Sequence, residues 1–201
     1  VEDVKSQLIP EDFILSVIVR KVYVTKDDIL KSLSFTFSLR NISEQRVDRV
    51  LELLSKYDLI HYDNNGYSST TLGRNISYAY VGVKDALYYL QQIENEIDDP
   101  LYVISYSPKV IEISKNADVY NILKEWTLGK ELNDLTKYGE NITEKDVKQI
   151  IDNSAWQSYT FYRVLDAIQH KKKYEALYIW QSIVYGVPKD ALNLVKLKGI
   201  G

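Results

Sequence analysis

Residues 43–70 read SEQRVDRVLELLSKYDLIHYDNNGYSST, and the order of parts in this stretch decides the fold of the N-terminal region. Ser43 is a good helix cap. Val47, Val50, Leu51 and Leu54 then fall at i, i+3, i+4 and i+7, so one helical face is core. The opposite face carries Gln45, Arg46, Arg49, Glu52 and Lys56. Leu59-Ile60-His61-Tyr62 and Tyr67-Ser68-Ser69-Thr70 are β-prone runs on either side of Asp63-Asn64-Asn65-Gly66. Asn-Gly between such runs predicts a hairpin, because both residues tolerate positive φ. His61 on a hairpin strand reads as a packing or surface residue rather than a ligand.

Upstream, Pro10 followed by Glu11 and Asp12 starts a helix, since Pro suits the first turn and acids suit the positive helix end. Its expected core face is Phe13, Ile14, Val17, Ile18 and Val22. Thr25 caps a second helix through Ile29, Leu30 and Leu33, with Asp27 and Asp28 in its first turn. Three helices followed by a β-hairpin is the winged-helix order. On that plan the third helix is a candidate duplex reader, with Arg46 and Arg49 reaching phosphates. The plainer reading is that the module only packs against neighbours, since Glu52 stands among the basic residues.

Downstream, a helical pattern runs from Asp85 through Leu87, Tyr88, Leu90 and Ile93 and stops before Asp98-Asp99-Pro100. Leu101–Ser105 is a short apolar run ending at Ser107-Pro108. Helices are expected over Asp118–Trp126, closed at Gly129, and over Leu132–Tyr138, closed at Gly139. Thr143, with Asp146 at the third helical position, opens the longest helix, free of Pro and Gly to Gln169, or roughly 40 Å. Its apolar face is Val147, Ile150, Ile151, Ser154, Phe161, Leu165 and Ile168. A second stripe at seven-residue spacing holds Gln149, Trp156, Arg163 and His170, with Asp152 and Tyr159 beside it, and runs into Lys171-Lys172-Lys173. Bases stack on aromatic faces while basic groups hold phosphates, so this stripe can track a nucleic-acid strand. Spacing alone equally allows Trp156 to be a bundle-core residue, and the lysine run to be a solvated helix end.

Composition narrows the classes. At 201 residues, 45% hydrophobic and 26% charged with eight Gly and four Pro, the chain is globular and helix-rich rather than disordered. The absence of Cys excludes disulfides, thiolate zinc sites and cysteine nucleophiles. Two histidines argue against a His-rich metal site. Cys and Met are both absent, which fits a thermophile, where thermolabile residues are depleted. No apolar run approaches a membrane span of roughly 18 residues, and no signal-peptide pattern opens the chain, which predicts a cytoplasmic protein with no membrane partner. The net charge of −3 is unevenly spread. Residues 1–82 carry ten basic and eleven acidic side chains, residues 83–142 six and eleven, and residues 143–201 nine and six. A basic final third on an acidic body is compatible with a local polyanion site.

The order of these parts resembles the region after the motor domains in archaeal Ski2-type superfamily 2 DNA helicases. These are the Holliday-junction-migration (Hjm) helicases, relatives of the helicase part of polymerase theta. Glu2–Leu8 resembles the family's exit from its second RecA-like domain. Thr70-Thr71-Leu72-Gly73 with Ser77 and Tyr80 resembles the wing-to-bundle junction. Lys137-Tyr138-Gly139 through Ser154-Ala155-Trp156 resembles the run into the ratchet helix. Tyr185–Leu192 through Gly199-Ile200-Gly201 resembles the entry to a terminal helix-hairpin-helix. The resemblance implies a winged-helix domain at 1–82, a ratchet bundle at 83–198 and the start of a truncated helix-hairpin-helix at 199–201. It implies that Trp156 stacks on the unwound strand. Where the family often has an arginine two turns earlier, this chain has Gln149, which moves that contact toward Lys148; Tyr159 and Arg163 are further candidates. The link near Ser114–Ala117 is shorter than the family's.

The implied function is single-stranded DNA binding within an ATP-dependent 3′–5′ helicase acting on forked DNA in repair and recombination. ATP and Mg2+ would belong to RecA-like motor domains of a parent protein, with this region monomeric. This chain has no G-x-x-x-x-G-K-[ST] cradle, no DExH-type acidic motif and no evident catalytic set, so neither catalytic nor metal residues are assigned. Two rivals remain: a duplex-binding winged-helix regulator with a helical dimerisation domain, and a protein-binding scaffold suited to the acidic middle.

Overall fold

The computed structural model describes residues 9–96 and 98–193. The Glu2–Leu8 stretch and the terminal Gly199-Ile200-Gly201 lie outside the described residues. Among the described residues the fold is mainly α with one two-stranded antiparallel sheet: a winged helix, then a helical bundle built on one long helix. Two compact units divide between Leu87 and Tyr88. No helix among the described residues is long and apolar enough to cross a membrane.

The first unit opens with α1 (Pro10–Val19), α2 (Lys26–Ser34) and α3 (Glu44–Lys56). Pro10 occupies the first turn of α1, with Glu11 and Asp12 beside it. The buried face of α1 is Glu11, Ile14, Leu15, Ile18 and Val19, so Ile14 and Ile18 are core as the spacing predicts, while Leu15 and Val19 take the places expected for Phe13, Val17 and Val22. Phe13 and Val17 are half-buried, and Val22, beyond the helix end, is 80% exposed. The reason is tertiary: α3, α4 (Thr71–Tyr78) and the hairpin all pack on α1 and select the face one residue round.

Local signals set the other ends. Thr25 and Asp28 form a reciprocal capping box on α2, with both backbone N–H groups satisfied at 3.1 Å. Those bonds from Thr25 hold the Asp28 carboxyl below its ordinary pKa. Ser43 Oγ accepts from Arg46 N–H at 3.2 Å at the start of α3, whose Val47, Val50, Leu51 and Leu54 are all buried.

The hairpin pairs β1 (Ile60–Asp63) with β2 (Gly66–Ser69), Ile60 opposite Ser69 and Asp63 opposite Gly66. The loop is therefore Asn64-Asn65, not Asn65-Gly66. The Asp63 carboxylate accepts the Asn65 N–H at 2.7 Å, and neither asparagine takes positive φ. Gly66 does, at 119°, and a Cβ there would sit 2.7 Å from the Val24 carbonyl oxygen. That carbonyl accepts from Tyr67 N–H at 2.8 Å while Val24 N–H donates back at 2.8 Å, so Gly66 is fixed by both backbone angle and strand approach. Thr70 ties the wing to α4: its Oγ1 accepts from Gly73 N–H at 2.9 Å and donates to the Asp58 carbonyl at 2.6 Å.

Helix α5 (Val83–Glu94) spans the division between units. The second unit continues with α6 (Pro100–Ser105), α7 (Pro108–Ile113), α8 (Val119–Trp126), α9 (Leu132–Leu135, running into a 3-10 turn Thr136–Tyr138), α10 (Glu144–Ala167) and α11 (Lys173–Tyr185). The apolar run at Leu101–Ser105 is helical because Asp99 caps it, accepting the Leu101 N–H at 2.9 Å, and Pro100 fills its first turn. Helix α7 occupies the link after Ser107, where spacing alone predicts no element.

Helix α10 packs against α6, α7, α8, α9 and α11. Thr143 and Asp146 form its capping box, and Lys115 reaches Asp146 at 2.6 Å. These bonds, from Lys115 first, hold the Asp146 carboxyl far below its ordinary value. The helix stops at Ala167, two residues short of Gln169, which turns to φ 52°. Its 24 residues span about 36 Å. Val147, Ile150, Ile151, Ser154, Phe161 and Leu165 are buried as the spacing predicts, while Ile168 is only half-buried. Gln157, Ser158, Thr160 and Val164 widen the buried face. Fully buried Tyr89 donates to Gln157 Oε1 at 2.7 Å and stacks on Phe161 at 4.8 Å. Helix α11 ends at Gly186, at φ 61°, where a Cβ would meet the Trp126 ring at 2.8 Å. The Trp126 indole N–H donates to the Ile183 carbonyl at 2.7 Å, so the glycine lets α8 and the end of α11 close together.

Candidate nucleic-acid interface

Five of the sequence-selected residues separate cleanly along α10. Trp156 is 65% exposed, and its ring meets no other ring or cation among the described residues. The bundle-core alternative for Trp156 is thereby excluded by position. Gln149 is also exposed, one heptad earlier, and its carbonyl accepts from Asn153 Nδ2 at 2.9 Å. Lys148 is exposed but its ammonium sits between both carboxylate oxygens of Asp152, at 2.8 and 2.9 Å. Its charge is largely offset where it stands.

Tyr159 and Arg163 form a different environment. Both are half-buried. The Tyr159 ring lies 5.0 Å from Trp180 of α11 and 6.0 Å from Tyr162. The Arg163 guanidinium sits 6.0 Å from the Tyr159 ring centroid, and its Nη1 donates to the Tyr159 hydroxyl at 3.4 Å. Arg163 has no carboxylate partner among the described residues. A planar cation beside a ring is suited to phosphate and base contacts together.

His170 does not continue the stripe, because α10 has already ended. It is half-buried in the turn to α11, where Nδ1 accepts the Lys172 N–H at 3.2 Å. Burial first, then Lys171 and Lys172, push its pKa below the usual histidine value. Within the lysine run, Lys172 pairs with Asp98 at 2.5 Å and Lys173 with Asp166 at 2.9 Å, while Lys171 is exposed without an ion pair among the described residues.

The α3 candidates are placed otherwise. Arg46 is half-buried, and its Nη2 donates to Glu11 Oε1 at 2.6 Å; the Glu11 side chain is 3% exposed. Arg46 therefore braces α3 on α1. Arg49 is exposed, with Nε on the Gln45 carbonyl at 3.4 Å. Glu44, Asp48 and Glu52 stand at four-residue steps on the same helix, and Lys26 bridges the first two at 2.7 and 2.6 Å. Those two carboxylates, Asp48 before Glu44, raise the Lys26 pKa above its ordinary value. A groove of about 330 Å³ between α3 and the hairpin is lined by Asp48, Glu52, Tyr62 and Tyr67, the two rings 4.7 Å apart. Lys26 offsets Asp48, and the Glu52 carboxylate, in no ion pair among the described residues, would repel a phosphate backbone.

Sequence reading missed Trp180 and all of α11. The signal was present in Tyr174, Tyr178 and Tyr185 at helical spacing ahead of a stop at Gly186. No three His, Cys, Asp or Glu side chains converge among the described residues.

Comparison with known proteins adds one relative. The chain is 34% identical over 195 residues to a protein of Sulfolobus islandicus filamentous virus (isolate Iceland/Hveragerdi) named "Putative helicase 7". The match covers 95% of this chain and 32% of that protein, so the chain spans about a third of the length of the curated relative. No protein-family model matches the chain.

Proposed function

We propose that this chain is the strand-holding accessory region of a DNA helicase, of the kind that follows the motors in the Hjm helicases. The exposed indole of Trp156 on a 24-residue helix carries the reading. An indole left exposed on the helix whose other side is buried offers a free face on which a base can stack. The similarity of 95% of the chain to part of a protein named as a helicase supports it.

On this reading the winged helix (1–82) braces the motor domains of a parent protein, and the bundle (83–198) holds the unwound strand. Trp156 stacks on a base, and Arg163, with Tyr159 beside it, meets the backbone next to it. Gln149 offers a hydrogen bond rather than a charge. The strand is single-stranded or forked DNA drawn 3′–5′ in repair and recombination, and the chain is a monomer in the cytoplasm. ATP and Mg2+ belong to the parent's RecA-like motors; this chain carries no G-x-x-x-x-G-K-[ST] phosphate cradle. The rival duplex reader would need the α3 face, where the Glu52 carboxylate and the inward Arg46 oppose it.

The test is fluorescence anisotropy of a labelled single strand at fixed low salt, with the unaltered chain and Trp156→Ala. Weakening of about fivefold or more is expected from the loss of one stacked base. Equal binding by the two forms would move the strand off α10.

A further inference from the structure

We propose that the outward face of α11 is a second stacking surface for single-stranded nucleic acid, built from Tyr174, Tyr178 and Tyr185. The proposal rests on the strand-binding reading and extends it to a helix that reading does not use.

The three tyrosines fall at i, i+4 and i+11, within one narrow helical stripe. They are 60%, 38% and 50% exposed, while Ala176 and Ile183 bury the opposite side. At 1.5 Å per residue the rings are spread along about 16 Å of helix, enough for several nucleotides. A cation accompanies two of them. Lys173 Nζ lies 5.3 Å from the Tyr174 centroid, and Lys189 Nζ lies 4.7 Å from the Tyr178 centroid. Lys189 forms no ion pair among the described residues.

Charge selects the occupant. Residues 171–190 hold four lysines against Glu175 and Asp190, in the one third of the chain that is net basic; Asp98 and Asp166 engage Lys172 and Lys173, which leaves Lys171 and Lys189 outside any ion pair among the described residues. A polyanion with planar groups satisfies both rings and ammoniums. On this face the exposed aliphatic is Val184 alone among the described residues, so what it offers a partner is rings and ammoniums.

The experiment compares a short and a long labelled oligothymidylate by anisotropy at fixed low salt. The chain is tested unaltered, as Trp156→Ala, as Tyr174→Ala with Tyr178→Ala, and as Tyr174→Phe with Tyr178→Phe. The alanine pair is expected to weaken the long oligonucleotide about fivefold or more, and the phenylalanine pair to bind like the unaltered chain. Both pairs keep the unaltered melting temperature, which separates lost stacking from lost folding. Lys189→Gln should lower the salt slope by about 0.7, one phosphate on a single strand. If the alanine pair binds normally while Trp156→Ala weakens binding, the α11 surface is refuted and the α10 reading stands. If the alanine pair weakens binding while Trp156→Ala does not, the α11 surface stands and the α10 reading falls. No binding by the unaltered chain overturns both.

Discussion

Helices α3 and α10 carry the same kinds of residue to opposite ends. Both carry Arg, Gln and Lys beside a face buried through Val, Ile and Leu. On α3 Arg46 turns inward onto buried Glu11 and Lys26 of α2 offsets Glu44 and Asp48, which leaves Arg49 exposed and Glu52 as the uncompensated charge beside the hairpin. On α10 a large aromatic is left in water, and Arg163 lies on a ring rather than on a carboxylate. The contrast shows that a basic residue on a helix face says little until its partner is known. A residue whose charge is already engaged within its own fold has less to offer a ligand.

The largest expected effect tests the inward role of α3. Arg46→Ala leaves the Glu11 carboxylate buried without its cation. Removing one partner of a fully buried pair costs about 3–5 kcal/mol, and the half-exposed guanidinium reduces this to roughly 2 kcal/mol. Urea unfolding should show that loss, with no change in duplex affinity once the folded fraction is held equal. A stable Arg46→Ala chain with weakened duplex binding would restore α3 as a reader.

Next comes the outward role of α10. Trp156→Ala should shift unfolding stability by no more than about 0.5 kcal/mol, as for a surface site, while costing about 1 kcal/mol in strand binding. The two variants thus have inverted signatures, one in stability and one in binding. A Trp156→Ala chain that unfolds markedly more easily would erase the contrast.

A smaller effect should come from reversing a charge in the α3 groove. Glu52 is exposed and in no ion pair among the described residues. Glu52→Lys should raise duplex affinity about threefold at low salt and steepen the salt slope by up to about 1.8, because a repulsion is removed and the new ammonium can pair with a phosphate. Unchanged duplex binding would mean that the groove never approaches DNA even when its charge favours it.

Much of this was legible in the sequence, for identifiable reasons. Val47, Val50, Leu51 and Leu54 announced α3 because aliphatic spacing is unambiguous, and Thr143 with Asp146 announced α10 because a capping box is local. The hairpin was legible but its loop was not, since Gly66 answers to Val24, more than forty residues earlier. The Arg46–Glu11 pair spans 35 positions and leaves no local trace. On α10, Gln157, Ser158 and Thr160 are buried polar residues, so the buried face is wider than its aliphatic letters suggest. Trp156 could not be placed from spacing, because a heptad partner serves a core stripe and a surface stripe equally. Helix α11 escaped notice because tyrosine is read as core and surface alike.

The finest distinction between the two helices lies in Lys148. It is the α10 residue that behaves like those on α3, since Asp152 offsets it one turn away. Asp152→Asn should free the ammonium and remove a carboxylate from the strand's path. The lost i,i+4 pair costs about 0.4 kcal/mol in stability. Strand affinity should rise about twofold at low salt, and the salt slope should steepen by about 0.7, one further phosphate on a single strand. The gain must vanish in the double variant Lys148→Ala with Asp152→Asn, because the carboxylate acts chiefly by holding that lysine. If the gain persists there, simple repulsion by Asp152 explains it, and Lys148 lies off the strand's track. If Asp152→Asn leaves both affinity and slope unchanged, the strand does not pass this turn of α10, and its path must be confined to the Trp156–Arg163 half of the helix.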